Sequence, residues 1–375
     1  MSKELHIVCL DVPWPADYGG AIDMLNRIKA FHNAGVLIHL HYFTYNERGT
    51  PNELNAFCKT VHTYKRKSFK ESFSLKLPYI VASRINEELI QNLGKDNHPV
   101  LLEGLHTTGI LKSINNGKRK ICVRQHNNEA IYYKELSRST SNPFKKTYYF
   151  RESVLLKAYS NTLPNNISYA CISQTDNDFM QQNGFDGAHH IPAFTNWQTV
   201  NCPTGMGNLC LFHGNLSVAE NEKAALWLLC NVFNKVRVPF VIAGKKPSRR
   251  LKKAAELCQH TCLVSDPTDQ ELDDLVQKAH INVLPLLNKN STGIRLKLLH
   301  ALYKGRHCVV NPAMVEGTGL EQACHVGKNA NAIASIISQL YYQPFNEEEI
   351  VLRRDLLQQQ YNNNLNIKKF TDLLW

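Results

Sequence analysis

The 375 residues contain no run of about 18 or more consecutive apolar residues, so no segment reads as a membrane-spanning helix. The short apolar start at residues 6–10 leads into Asp11 and Pro13, not into a small-residue cleavage site. It reads as a first strand, not a signal peptide. No Walker loop occurs, and no Gly-x-Gly-x-x-Gly follows that first strand, which argues against a standard ATP or NAD site. Acidic residues are few: 32 Asp and Glu stand against 43 Lys and Arg, for a formal net charge of +11. A disulfide framework is also missing. The 11 cysteines are odd in number, and Cys9, Cys122, Cys171, Cys210 and Cys308 lie inside apolar runs. There a thiol acts as a small hydrophobe, which fits a reducing, cytoplasmic setting. The pair Cys258 and Cys262 lacks a second correctly spaced pair and gives no support for a zinc site.

What is present is a globular composition, 43% hydrophobic and 20% charged, in a chain long enough for two α/β domains. Apolar strand-like runs at 6–10, 36–43, 100–102, 120–123 and 169–172 are each followed by a polar segment and then a helical pattern. Residues 196–208, with Asn, Pro and two glycines, read as a linker. A second series follows, with strands at 209–212, 240–243, 261–264, 281–284 and 308–310. Its helices are read at 220–233, 249–258 and 296–303, the last ending near the C-cap residue Gly305. Residues 347–375 read as a polar helical tail. Alternating strands and helices predict parallel sheets covered on both faces. The expectation is two Rossmann-like doubly wound domains, residues 1–197 and 207–345, with ligands in a cleft at the C-terminal strand edges.

Several loops at those edges carry chemistry. Gly19 and Gly20 precede a helix, where backbone amides can approach an anion. Thr292 and Gly293 stand where another helix begins, with Lys297 in its first turns and Arg295 adjacent. Lys245 and Lys246 follow a strand in Ala-Gly-Lys-Lys-Pro, so two loops offer cations to one diphosphate. Glu316 and Gly317 follow the last strand of the second series. In the first half, His106 and the run His126, Asn127 and Glu129 lie just beyond strands and supply sugar-binding groups and a proton carrier. Asp176-Asn-Asp178 has the look of a metal-binding Asp-x-Asp. It follows Ser173 at a helix start, however, so its acids read as caps and no essential metal is expected.

The charge is unevenly spread. Lys59, Lys65, Arg66, Lys67, Lys70, Lys76 and Arg84 crowd one stretch among Tyr64, Phe69, Phe73 and Tyr79. A second cluster pairs Lys145, Lys146, Arg151 and Lys157 with Phe144, Tyr148, Tyr149 and Phe150. Basic residues interleaved with aromatics suit an anionic membrane surface, which we expect in preference to nucleic acid.

In order and spacing these segments resemble the retaining glycosyltransferases of the GT-B fold, the large bacterial family 4 (group 1) type. The likeness runs through PWPADYGGA (13–21), RQHNNE (124–129), FHGNLSVAEN (212–221), IAGKKP (242–247), residues 292–305 and Glu316-Gly317. It implies a hexosyltransferase that moves a sugar from a nucleotide-diphosphate sugar to a glycan or lipid-linked acceptor, in cell-surface polysaccharide or glycoconjugate synthesis, with no cofactor. The donor would bind in the second domain and the acceptor in the first, with the last helix, about 350–375, packing back on the first. Carried over residue by residue, Gly19 and Gly20 would face the diphosphate, Lys245 and Lys297 would neutralise it, and the backbone of Thr292, Gly293 and Ile294 would hold the sugar. Arg295, His300, Glu316 and Gly317 would complete the donor site. Asp17, His106, Asn127 and Glu129 would meet the acceptor, with His126 in a catalytic or orienting role. The family often carries two glutamates eight positions apart where this chain has Thr292 and His300. That departure supports the rival expectation of a weakened paralogue that binds sugar nucleotides.

Overall fold

The computed structural model describes residues 3–44, 51–115, 117–140, 142–288 and 295–375. They form two compact units: one up to Asn196 plus Tyr361–Trp375, the other from Trp197 to Gln360. Each is a parallel sheet wrapped by helices, so the α/β doubly wound expectation holds for both.

The first unit's seven strands are β1 (Glu4–Cys9), β2 (Leu37–Thr44), β3 (Thr60–Lys65), β4 (Val100–Glu103), β5 (Ile121–Gln125), β6 (Ser168–Cys171) and β7 (Ala188–His190). They lie in the order β3-β2-β1-β4-β5-β6-β7. The order reverses between β1 and β4, so the loops after these strands diverge and leave room for a ligand. Side chains alternate across β1 as the pleat requires. Leu5, Ile7 and Cys9 face one core cluster and Val8 the other, all fully buried.

The first cluster takes Met24, Ile28 and Phe31 from the helix Gly19–Asn33, and Ile367, Phe370 and Leu374 from the helix Asn363–Leu374. Phe370 packs against Phe31 and Phe194, each with ring centroids 5.9 Å away. Burying such a ring contributes about 1.5–3 kcal/mol. The tail is therefore two helices, Glu347–Gln360 and Asn363–Leu374. Asn362 caps the second, its Oδ1 accepting from the amides of Asn364 at 2.9 Å and Leu365 at 3.2 Å.

The second unit's six strands are β8 (Cys210–His213), β9 (Phe240–Gly244), β10 (Thr261–Ser265), β11 (Ile281–Leu284), β12 (His307–Val310) and β13 (His325–Val326), in the order β10-β9-β8-β11-β12-β13. Here the reversal lies between β8 and β11. Three strands escape sequence pattern: β3, β7 and β13. Thr60-Val-His-Thr-Tyr-Lys65 has one aliphatic residue, while β7 and β13 span three and two residues. Edge strands this short and polar lack the apolar run that marks a buried strand.

Candidate donor and acceptor sites

In the second unit, the loops after β8 and β9 meet at the C-terminal edge of the sheet. Strand pairing sets His213 beside Ala243. The chains then approach so closely that a Cβ on Gly244 would lie 1.9 Å from the Gly214 carbonyl oxygen. No side chain fits there. The Lys245 carbonyl accepts from the Leu216 amide at 3.0 Å, which fixes the backbone and leaves the Lys245 side chain exposed. Lys246 takes a positive φ of 53° and donates its amide to Asp266 Oδ1 at 2.8 Å.

Lys297 stands in the first turn of the helix Leu296–Lys304 and reaches this edge. Its Nζ donates to Asn221 Oδ1 at 3.0 Å and sits 5.0 Å from the centroid of the Phe212 ring, a cation–π contact at the end of β8. Among the described residues no carboxylate comes within ion-pair distance of it. Burial and then the neighbouring Arg295 push its pKa down to about 8, with Glu220 opposing.

Three polar atoms around it are buried without a hydrogen-bond partner: Arg295 Nε, Glu220 Oε1 and His213 Nε2. Arg295 Nη2 stands 3.8 Å from Glu220 Oε1, close enough to attract and too far to bond. Burial, then His300 and Lys297, hold His213 well below the ordinary histidine range, so it is neutral at pH 7. Unsatisfied buried polar groups are uncommon in folded chains. Three in one place, beside a desolvated ammonium, fit a polar anionic ligand.

His300 is occupied elsewhere. It is 6% exposed, its Nε2 is 2.7 Å from Asp273 Oδ1, and its ring stacks on Trp197 at 4.7 Å. Hydrogen bonding from His300, more than burial can oppose, keeps the Asp273 carboxyl below its usual range. Past β12, Asn311 clamps Leu286 through both its side-chain atoms, at 2.8 and 2.7 Å. Glu316 follows, exposed, and Gly317 adopts φ 73°, which a side chain would strain. Thr292, Gly293 and Ile294 lie outside the described residues.

In the first unit, the helix Gly19–Asn33 starts at the glycine pair without a side-chain cap and without an acid in its first turn. Its first amides are therefore available to an anion. Asp17 is exposed in the same loop. Behind it lies a buried charge network. Asp23 accepts from Arg27 Nη1 at 2.6 Å, from Arg124 Nε at 3.2 Å and Nη2 at 3.1 Å, and from the Phe194 amide at 2.8 Å. Arg27 also bonds Glu103, which holds His126 Nε2 at 2.8 Å. Burial works against ionising Asp23 and Glu103, but the guanidiniums of Arg124 and Arg27 outweigh it at Asp23, and Arg27 with His126 does so at Glu103. Both carboxyls stay below their usual range. His126 is thus oriented from beneath by two carboxylates, with its side chain 9% exposed.

His106 and Glu129 lie at the same strand edge, after β4 and β5. His106 Nδ1 is buried without a hydrogen bond, and burial followed by Arg84 and His126 keeps the ring neutral. Burial pushes Glu129 up to about 7, against a hydrogen bond from Asn127 and the charge of Arg84. A carboxyl titrating there can carry a proton. Arg84 is 5% exposed and donates to the carbonyls of Leu10 at 2.7 Å and Ile80 at 2.8 Å. Sequence reading counted it as one more surface cation, and it passed over Asp23, Arg27, Phe212 and Asn221 as site-building residues. At the helix start the cap is Ser173, not the acids: its Oγ accepts from the Asp176 amide at 3.1 Å, and its hydroxyl donates to the Asp176 carboxylate at 2.6 Å.

Two parallel Rossmann-like units of this kind define the GT-B fold. The fold matches TarM with a TM-score of 0.71 at 12% identity, covering 100% of this chain and 99% of that one. It matches sucrose-phosphate synthase from Thermosynechococcus elongatus equally, 0.71 at 14% identity, covering 99% and 98%. A TarM variant from S. aureus, solved with fondaparinux, α-GlcNAc-glycerol and UDP, matches at 0.62 with 14% identity and full coverage of both chains. Residues 207–343 match the family model for "Glycosyl transferases group 1". A Klebsiella pneumoniae protein described as an uncharacterized 44.6 kDa protein in the cps region is 28% identical over 342 residues, 85% of each chain. The domain match and the fold together support a GT-B glycosyltransferase.

Proposed function

We propose that this protein transfers a hexosyl group from a nucleoside-diphosphate sugar to a hydroxyl of a glycan or lipid-linked acceptor, with retention at the anomeric carbon, as a family 4 enzyme of surface-polysaccharide or glycoconjugate synthesis. The observation that carries this reading is Lys297, a desolvated ammonium with no carboxylate partner among the described residues, beside the orphaned Arg295 Nε. The acceptor oxygen bonds to the anomeric carbon on the face from which the diphosphate leaves. The bond from that carbon to the diphosphate oxygen breaks, and the leaving phosphate takes the acceptor's proton. Lys297 and Lys245 neutralise the charge that develops on the leaving group, so the step needs no metal. Gly19 and Gly20 offer amides to the diphosphate, and the backbone of 292–294 holds the sugar. Arg295, Glu316 and Gly317 serve the nucleotide side. His126, positioned by Glu103, orients the acceptor with Asp17, His106, Asn127 and Glu129. The cps-region relative supports the polysaccharide setting.

A thermal-shift screen against UDP, GDP, ADP, CMP and their common sugars, with and without EDTA, tests the donor. One nucleoside diphosphate is expected to raise the midpoint, unaffected by EDTA. At a hundredfold excess over Kd, mass action stabilises by about 2.7 kcal/mol. No shift with any of them would defeat the reading. A second reading is a weakened paralogue that binds the donor without turnover. It is favoured by His300, whose contacts with Asp273 and Trp197 leave it committed within the fold. Donor binding with no transfer or hydrolysis across an acceptor panel would select it.

The enzyme works, in this proposal, as a peripheral protein on the inner face of the membrane, and it does not bind nucleic acid. The two basic-aromatic clusters support this, because the fold joins them. Phe69 touches Phe73, Tyr79 and Tyr148, with ring centroids 5.5, 5.3 and 6.1 Å apart. Phe144 is 86% exposed and Phe150 58%. Exposed rings among lysines can enter an anionic headgroup layer. Wild type is expected to cosediment with phosphatidylglycerol vesicles at low salt, and a Phe73→Ser, Phe144→Ser, Phe150→Ser triple variant to stay in solution. Equal sedimentation of the two proteins would remove this face from the reading.

A further inference from the structure

Among the described residues, three trios of histidine and carboxylate converge within 4.8 Å, closely enough to hold a cation. In two of them the protein supplies the cation itself. Arg27 and Arg124 fill the group of Asp23, Glu103 and His126. In the group of Glu4, His39 and His98, Lys59 Nζ sits 2.8 Å from Glu4 Oε2. The third group, His307, His325 and Glu349, has no lysine or arginine on its carboxylate.

Its geometry is already that of a ligand set. His307 opens β12, and His325 lies on β13, whose register sets it beside Val309. Positions 307 and 309 share a face of the pleat, so both histidines project to the same side. Glu349 comes from the first turn of the helix Glu347–Gln360. His307 Nδ1 is 3.2 Å and His325 Nε2 3.5 Å from the same oxygen, Glu349 Oε1. Ligands about 2.0–2.1 Å from a tetrahedral zinc ion stand roughly 3.3 Å apart, the edge of that tetrahedron.

The protonation pattern points the same way. His307 Nε2 lies 3.1 Å from the Gln343 carbonyl oxygen, which can only accept, so Nε2 carries the hydrogen. In the neutral ring Nδ1 is then a bare lone pair. It is buried and faces the Glu349 carboxylate oxygen at 3.2 Å, within reach of a shared proton or a shared metal ion. A proton or a metal ion can fill the space between them, and the second histidine on the same oxygen gives that space the shape of a metal site. A backbone carbonyl on the far nitrogen is also the common way a metal-bound histidine is oriented. His325 and Glu349 are 36% and 27% exposed at their side chains, which leaves an entry path.

We propose that His307 Nδ1, His325 Nε2 and Glu349 Oε1 bind one divalent transition ion, zinc by the character of the donors, with water as fourth ligand. The ion ties β12, β13 and the helix Glu347–Gln360 together. It is structural: the trio lies at the starting end of β12, whereas Lys297 acts at the C-terminal strand edge.

The test uses the full chain stripped with a chelator, dialysed, and titrated with Zn²⁺ alone against a chromogenic zinc indicator. Wild type is expected to take up one equivalent, to gain thermal stability with zinc, and to give the strong visible bands of tetrahedral Co²⁺ when cobalt replaces it. His325→Ala and Glu349→Gln should each weaken zinc binding by at least about tenfold and lose the thermal gain. Both positions are partly exposed, and each variant's zinc-free melting midpoint checks that it folds. Absence of zinc uptake by wild type would mean that a proton holds the trio, and would overturn the site. So would uptake that survives both substitutions and disappears in Cys258→Ser.

Discussion

The Lys245→Ala, Lys297→Ala double variant is expected to lose about a thousandfold in kcat/KM for sugar transfer, roughly 4 kcal/mol of transition-state stabilisation. The two lysines should not contribute equally. Lys245 is exposed, so water screens its charge and its removal alone costs the smaller part. Lys297 is desolvated against Phe212 and already held down to about pH 8, so its charge acts in a weaker dielectric. Its single replacement by Met, which keeps the volume of the stem, should account for most of the loss. A pH dependence follows. The clamp needs an ammonium, so kcat/KM should be level below about 8 and fall as pH rises through that value, because this ratio reports the free enzyme. In Lys297→Met the basic limb should vanish along with the rate. Unchanged turnover in the double variant would remove the clamp. A basic limb that persists in Lys297→Met would assign the titration to another group.

How much of this was legible beforehand depended on range. Strands such as Ile281–Leu284 and Phe240–Gly244 are short continuous apolar runs, and the helix Leu296–Lys304 shows its apolar periodicity and stops at Gly305, so chain pattern sufficed. The positions of Lys245 after a strand and of Lys297 in the first turns of a helix were readable for the same reason. What could not be read was pairing across the fold. Asp23 looks like an ordinary polar residue on a helix, and its partner Arg124 lies 101 positions away. Arg84 sat in a run of lysines that share its charge, and only the chain's path buries it on the Leu10 carbonyl. His300 could be seen to differ from the glutamate of the family that the sequence resembles. Its commitment to Asp273 and Trp197 could not, because both contacts depend on elements packed together from separate parts of the sequence. The trio at His307, His325 and Glu349 is hidden likewise, with one ligand on a two-residue strand.

Asp23→Ala is expected to destabilise the first unit by about 3–5 kcal/mol, the range for removing one partner of a buried ion network. Against a total stability of about 5–15 kcal/mol, that is a large share. The reason is the count of charges left behind. Asp23 answers two guanidiniums, Arg27 and Arg124, both fully buried. Without it Glu103 alone faces them, and it already serves His126. Arg124 would keep its bonds to the carbonyls of Ile191 and Pro192, which satisfy donors without neutralising charge. The Phe194 amide would lose its acceptor as well. Asp23→Asn should fall between the two, since it restores an acceptor but not the charge. Urea unfolding followed by circular dichroism measures the difference. The sign with pH is fixed by the lowered folded-state pKa. Asp23's contribution is complete above its unfolded value of about 3.9 and erodes as pH falls below it. Wild type and Asp23→Ala should therefore converge in acid, where the unfolded state takes up a proton that folded Asp23 resists. A gap that stayed constant through that range would mean the loss comes from packing, and that the guanidiniums are neutralised by something other than this carboxylate.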